Sequence, residues 1–270
     1  MATTPFAATV VIPSLDRPVE LAACVRSLQA QTRRDYELVI LKERGPLAAI
    51  RNQGLRAAQG AVVCFLDDDV ICPPTWLAGV LDTFQQHPDA VGVTGPALIT
   101  PYYRQQRDLF RYPRLRGLYD RLFLDVPTRP GRICPSGAFT TAASEEDCAY
   151  EGPVDYLEAC NMSFRTAALQ TVGGFDEGYG GIGDWSEPDV CYRLRQHGGQ
   201  LWFTPAATLF HQPARTGAFA LRRRTGARLR NYALFSRRWV RPHWRHTLYW
   251  GFLRTYYAWK EITACWPSAR

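Results

Sequence analysis

Residues 61–69 read AVVCFLDDD, six uncharged residues followed at once by three aspartates. An apolar run of that length, rich in valine and ending abruptly, fits a strand buried on both faces of a sheet. Open α/β sheets bind their ligands outside the carboxyl ends of the strands. Asp67, Asp68 and Asp69 therefore stand where a nucleotide would lie. Outward from this stretch, residues 7–13, 36–41 (YELVIL) and 90–94 read as three more such strands. Helices are expected between them. One spans 16–31, with Leu21, Val25 and Leu28 on one face and Pro18 in its first turn. A second spans 46–59, with Gly60 as its C-cap, and a third spans 73–86. Strands alternating with helices predict an α/β fold with helices on both faces of the sheet.

The regularity stops after Thr100. Residues 101–150, rich in Arg, Pro and Tyr, read as a long insertion. Order is expected again over 154–164. A glycine-rich stretch, 173–183, then leads to a helix over 187–197 and strands over 201–203 and 208–210. From Phe219 onward the pattern predicts basic, aromatic helices.

With 270 residues, 46% of them apolar, the chain can bury a real core, which excludes a disordered protein. Its eight cysteines (Cys24, Cys64, Cys72, Cys134, Cys148, Cys160, Cys191, Cys265) form no CxxC pair and show no zinc spacing. Reduced, buried thiols in a cytosolic protein are expected. The opening MATTPFAATVVIP has no basic region ahead of an apolar run, so no secretory leader is expected. No stretch approaches ~18 uninterrupted apolar residues, so no membrane span is expected either. The net charge of +7 is unevenly placed. Residues 215–270 hold 13 of the 32 basic residues and one of the 25 acidic ones, Glu261. The extension is thus strongly cationic and the rest of the chain mildly acidic.

Clustered carboxylates repel unless a cation compensates them. Hard oxygen ligands favour Mg2+ or Mn2+, which also bridge diphosphate oxygens. A solvated acidic turn at a helix start is the plainer alternative. An apolar strand ending in Asp-Asp also fits an ATPase, but the chain has no GxxxxGK[ST]. Gly178, Gly180 and Gly183 match GxGxxG, yet far from the first strand, where a dinucleotide site would need it. That stretch reads better as a loop beside the site. Asn161-Met162-Ser163 is a formal glycosylation sequon in a chain with no expected leader. Glu187-Pro188-Asp189 puts two carboxylates at a helix start, as helix capping or as a general base toward an acceptor hydroxyl. His211 follows an apolar strand. It gains a role only if the fold brings it beside Asp69.

Five segments, in order, resemble the family 2 glycosyltransferases, which have the GT-A fold and a DXD motif. They are VVIPSLDRP (10–18), CVRSLQAQTRRDYELVI (24–40), RNQGLRAAQGAVVCFLDDDV (51–70), CNMSFRTAALQTVGGFDE (160–177) and EPDVCYRLRQHG (187–198). The resemblance covers residues 7–212. It implies a GT-A catalytic domain over 1–212, with a nucleotide-sugar half (1–100) and an acceptor-side half (101–212). Residues 213–270 would form a helical extension. Pro13 and the residues after it, Asp16 among them, would line the base pocket, and Arg51 would meet the diphosphate. Asp67 and Asp68 would hold the donor's ribose or sugar. Asp69 would bind Mn2+ or Mg2+, with His211 completing the metal site. Glu187 or Asp189 would be the general base, Glu187 favoured. Asn161 and Trp185 would face the acceptor. The activity implied is transfer from a nucleoside diphosphate sugar to a hydroxyl, inverting, by single displacement.

Two departures stand out. The second strand ends Leu41-Lys42-Glu43-Arg44 where family members commonly carry Asp-Asp-Gly-Ser. Glu43 can take over the base contact, since its carboxylate accepts from a base N–H, or Lys42 or Arg44 contacts phosphate instead. UDP is then the first expectation, with GDP and TDP open. The base helix carries Ser-Glu-Pro-Asp, which leaves both carboxylates in play. The extension interleaves Arg with Trp, Tyr and Phe (RRWVRPHWRHTLYWGFLRTYYAWK, 237–260). It suits packing on the catalytic domain with peripheral membrane contact through 215–260. Recognition of a lipid-linked acceptor ranks next. Single-stranded nucleic acid ranks last, for want of an RRM, KH or helix-turn-helix signature. The acceptor class, whether glycan, lipid-linked or small molecule, stays open. Two other function classes compete: a sugar-nucleotide pyrophosphorylase and a non-catalytic nucleotide- or membrane-binding relative. The first would need a glycine-rich signature where Ser14-Leu15-Asp16-Arg17 stands. The second is disfavoured by the carboxylates at 67, 69, 187 and 189.

Overall fold

The computed structural model describes residues 5–99, 113–124, 129–140, 148–213 and 225–265. Its centre is a seven-stranded mixed sheet in the order β2-β1-β3-β8-β5-β9-β7. These strands are β1 (Phe6–Pro13), β2 (Tyr36–Leu41), β3 (Gly60–Leu66), β5 (Ala90–Thr94), β7 (Gly152–Pro153), β8 (Asn161–Arg165) and β9 (Gln200–Phe203). Strands β2, β1 and β3 run parallel. Strand β8 is antiparallel to both β3 and β5, and β7 is antiparallel to β9. A small second sheet joins β4 (Val70–Ile71), β10 (Leu209–His211) and β6 (Ala97–Ile99).

Alternation along β1 and β3 builds a core on each face. Ala8, Val10, Ile12, Val62, Cys64 and Leu66 point to one side. There they meet Leu21, Cys24 and Leu28 of α1 (Pro18–Gln29) and Trp76, Leu77, Val80 and Phe84 of α3 (Trp76–Gln86). Val11, Val63 and Phe65 point to the other side. They meet α2 (Leu47–Ala57), α5 (Thr166–Thr171) and α6 (Ser186–Gln196) through Ala48, Leu55, Leu169, Val190 and Leu194. Burying both faces removes a large apolar area from water, at about 25 cal/mol per Å2.

The expected helices are present with shifted ends. Helix α1 begins at Pro18 rather than Asp16, because Asp16 sits at φ 57 and proline's fixed φ suits the first helical position. Gly60 does not cap α2: Ala58 ends that helix in extended conformation, and Gly60 is the first residue of β3. A Cβ there would come within 2.4 Å of the Ala8 carbonyl carbon, so close strand approach is what requires glycine. Helix α3 starts three residues later than expected, after a turn in which Trp76 N–H donates to the Pro73 carbonyl. Within the expected insertion lie α4 (Pro113–Phe123) and a turn closed by an Ile133–Phe139 bridge; its residues 101–112, 125–128 and 141–147 lie outside the described residues.

The extension forms α7 (Thr225–Trp239) and α8 (Trp244–Cys265). A third, aromatic core joins them to the rest: Tyr232, Phe235, Tyr249, Leu253 and Tyr257 pack with Phe123, Tyr179 and Trp185. Cys24, Cys64, Cys72, Cys134, Cys148, Cys160 and Cys191 are free thiols, all but Cys148 buried.

Candidate active site

The chain turns one way out of β1 and the other way into β3. Helix α1, between β1 and β2, covers one face; α2, between β2 and β3, covers the opposite face. The carboxyl ends of β1 and β3 thus flank a topological switch point, where open α/β sheets form a ligand crevice. Residues after β1 and after β3 meet there. Arg17 Nη1 donates to Asp68 Oδ1 at 2.7 Å and to Asp69 Oδ2 at 3.0 Å. Ser14 Oγ donates to Asp68 Oδ2 at 2.8 Å. Burial raises the Asp68 carboxyl above its usual range, with Ser14 and Arg17 pulling against it. Burial pulls on Arg17 in the opposite sense, but Asp68 and Asp69 more than offset it and hold the guanidinium above its usual value.

Pairing of β10 with β4 sets His211 opposite Val70. The adjoining Gln212 N–H donates to the Asp69 carbonyl at 2.8 Å. His211 Nε2 therefore lies 3.2 Å from Asp69 Oδ1. The fold thus meets the condition set for this histidine. Ligand atoms of Asp67, Asp69 and His211 all lie within 4.8 Å of one another. Asp67 joins this group, whereas Asp68 is turned toward Ser14 and Arg17. Two carboxylate oxygens and one imidazole nitrogen are a donor set that suits Mn2+, with Mg2+ less served by the nitrogen.

A second group lies on the other side of β3. Arg51, on α2, is buried and donates to Glu187 Oε1 at 2.6 Å, and to the Ala159 carbonyl at 3.4 Å. Its guanidinium also lies 5.4 Å from the centre of the Phe175 ring. Burial raises the Glu187 carboxyl above the usual range, with Arg51 pulling against it. Glu187 stands in the first turn of α6, which opens on Trp185 at φ 76. A bulky side chain at positive φ costs on the order of 1–3 kcal/mol. Phe139, Tyr232 and Phe235, with ring centres 4.8, 4.8 and 5.2 Å away, hold Trp185 in that turn.

Asp189, two residues on, has a different environment. Its side chain is fully buried. Oδ1 accepts from Tyr179 Oη (3.1 Å), Arg238 Nη1 (3.2 Å) and Trp239 Nε1 (2.8 Å), and Oδ2 accepts from Arg193 Nε (2.9 Å). This carboxylate fastens α7 to α6. Asn161 is likewise a fastener rather than a surface contact. It accepts from Trp76 Nε1 at 3.1 Å and donates to the Gly95 and Ala207 carbonyls at 3.1 and 2.8 Å, wholly buried. Trp185 too is buried, its ring inside the aromatic core.

Of the remaining expected donor contacts, Pro13 ends β1 half-buried, while Asp16 and Glu43 are exposed at the same edge. Arg44 Nη2 donates to Asp16 Oδ2 at 2.6 Å across that edge. Arg51 is drawn to Glu187. Sequence reasoning gave Ser14 and Arg17 no contact with the aspartates. Their signal was their place in VVIPSLDRP, on either side of Leu15-Asp16. Nothing local marked Tyr179, Arg238 and Trp239 as partners of Asp189.

Comparison with known proteins agrees with this architecture. The model of glycosyl transferase family 2 matches residues 39–141. A pre-mycofactocin glycosyltransferase of Mycobacterium tuberculosis is 28% identical over 168 residues, 62% of this chain and 30% of that protein. A glucosyl-dolichyl phosphate glucuronosyltransferase of Haloferax volcanii is 24% identical over 217 residues, 69% of this chain and 62% of that protein. The chain thus spans less than two thirds of the length of these curated relatives. Among solved structures, GalNAc-T7 with UDP, GalNAc and Mn2+ superposes with TM-score 0.58 at 13% identity, covering 86% of this chain and 48% of that one. A mannosyltransferase from Pyrobaculum calidifontis in complex with GDP-Man and Mn2+ superposes with TM-score 0.56 at 16% identity, covering 96% and 72%. Over residues 39–141 the chain is thus similar to glycosyl transferase family 2, and its fold is the GT-A fold of these solved glycosyltransferases. Among the described residues no helix is long and apolar enough to cross a membrane.

Proposed function

We propose that this chain is a metal-dependent glycosyltransferase that moves one sugar from a nucleoside diphosphate sugar to an acceptor hydroxyl, with inversion and by single displacement. The observation that carries the reading is the meeting of Asp67, Asp69 and His211 at the switch point of the sheet. These three would hold Mn2+, or Mg2+ less well. An ion bound there would neutralise charge building on the leaving diphosphate. Arg17 keeps Asp68 and Asp69 together beside it while remaining on the crevice side of β1.

Glu187 is the general base in this reading. It accepts the acceptor's proton as the hydroxyl oxygen attacks the sugar carbon, and one base with no separate nucleophile suits a single displacement. Arg51 aims the carboxylate and stabilises its charged form; burial opposes that and keeps its proton affinity high. Asp189 serves as the anchor of α6 rather than as a second base. Both structural neighbours hold Mn2+ with a nucleotide or nucleotide sugar, which supports the donor class. They differ in the base, so UDP stays the first expectation here, with GDP and TDP open.

A thermal-shift panel of UDP, GDP, CDP and TDP, each with and without Mn2+, tests this. At about 100 times its dissociation constant a ligand stabilises by roughly 2.7 kcal/mol, which is readily seen. One nucleotide shifting the transition only with Mn2+ is expected. Equal shifts with and without the ion would remove the metal from the proposal.

A further inference from the structure

Helix α8 is apolar on two opposite sides. Tyr249, Leu253 and Tyr257, spaced by four, form the side buried against α7 and α4. On that side the rings of Tyr119 and Phe123 meet Tyr249 and Phe252. The opposite side carries Trp244, Leu248, Gly251, Thr255, Ala258 and Trp259, all exposed. Their spacing of three and four places them on one stripe. A helix docked on a domain in water presents charge on its outer side. This one presents two tryptophans and a leucine, each at least half exposed (60%, 55% and 50%). Gly251 adds no bulk, and a Cβ at its position would meet nothing within 4 Å. The adjacent α4 adds exposed Leu115 and Leu118, one turn apart. An exposed apolar patch of this kind marks an interaction surface.

The charge around the stripe says what it meets. At helical spacing, Arg254 borders the stripe on one edge and Arg245 on the other, and Arg241 stands exposed just ahead of it. Arg245 also stacks near Trp244, 5.7 Å from its ring centre. The one acidic residue between 225 and 265, Glu261, is engaged by the hydroxyl of Thr225. Tryptophan on an apolar stripe with arginines along its edges is the pattern of a helix lying at a lipid–water boundary. Helix α8 is also too polar to cross it.

We propose that the outer stripe of α8, with the exposed leucines of α4, docks the protein on an anionic phospholipid surface. Trp244, Leu248 and Trp259 insert among the acyl chains near the headgroups, while Arg241, Arg245 and Arg254 meet lipid phosphates. The docking needs neither donor nor metal, so it stands apart from the catalytic reading.

The test is flotation of the full chain with vesicles of phosphatidylcholine alone and of phosphatidylcholine with 30% phosphatidylglycerol, at low and high salt, following tryptophan emission. Binding is expected only to the anionic vesicles, weakening several-fold with salt and accompanied by a blue shift. The variant Trp244→Ser/Leu248→Ser/Trp259→Ser should lose at least about tenfold in binding while keeping the wild-type melting curve, since all three side chains are exposed. Arg241→Glu/Arg254→Glu should abolish the preference for anionic lipid. Undiminished flotation of the serine variant would overturn the proposal. So would wild-type protein that ignores both vesicle types. A wild-type dimer that ignores vesicles and that the serine substitutions dissociate would reassign the stripe to a contact between copies of the chain.

Discussion

Replacing Asp189 by asparagine separates the two carboxylates of α6. The native carboxylate takes four donors with its two oxygens, and two of the four are guanidinium groups. An amide has one accepting oxygen. If that oxygen keeps the place of Oδ1, its NH2 faces Arg193 Nε, and the charge that balanced Arg193 and Arg238 is lost. Breaking a buried pair from one side costs about 3–5 kcal/mol. Arg238 is 40% exposed and water will solvate it in part, so the low end, about 3 kcal/mol, is the expectation. That is a large share of the ~5–15 kcal/mol that holds a typical domain together. Urea unfolding followed by far-UV circular dichroism measures the loss. Sugar transfer, normalised to the folded fraction, measures catalysis. The expected outcome is a marked drop in stability with turnover per folded molecule within a few-fold of wild type. Unchanged stability with a hundredfold loss of turnover would make Asp189 the base and sink the assignment of Glu187.

Glu187→Gln is expected to keep the nucleotide-induced thermal shift and lose about 100-fold or more in turnover, read by single-turnover transfer assays. Asp69→Ala and His211→Ala should each abolish the Mn2+-dependent part of the UDP shift without changing the circular dichroism spectrum; a retained ion response in both would discard the site. The raised Glu187 carboxyl predicts an acid limb in kcat/KM above the ordinary glutamate value of ~4.3, and a limb at or below that value contradicts it. The same shift has a sign for stability. A carboxyl raised in the folded state favours the protonated form, so its contribution is present below the unfolded value and is lost as pH rises through the folded one. The stability of wild type relative to Glu187→Gln should therefore fall as pH rises across that window, measured by urea midpoints.

Much of the fold was legible because β1 and β3 are buried on both faces and read as uncharged, largely apolar runs. The triple aspartate was legible for the same reason, since it ends such a run. Helix ends were less so. Gly60 looked like a cap because glycine favours both caps and close strand contacts, and only the approach of Ala8 decides between them. The acidic half of the site could be named from chemistry, yet His211 needed the β4–β10 pairing to reach Asp69. The half around Glu187 was less legible still. Arg51 and Glu187 are 136 residues apart, and no local pattern announces that they meet. The two carboxylates of Ser-Glu-Pro-Asp look alike in sequence. What divides them is that donors from α7, about 50 residues on, close around one and not the other.

The grip of Arg238 and Trp239 on Asp189 makes the extension a structural member of the catalytic frame rather than a detachable module. A shortened protein ending near residue 212 would strip two of four donors from a buried anion in the helix that carries Glu187. Chimeras that graft a foreign tail to redirect the enzyme to a new acceptor inherit the same constraint. A replacement segment has to present an indole and a guanidinium at the spacing of 238 and 239, or the host has to surrender the aspartate for an apolar residue.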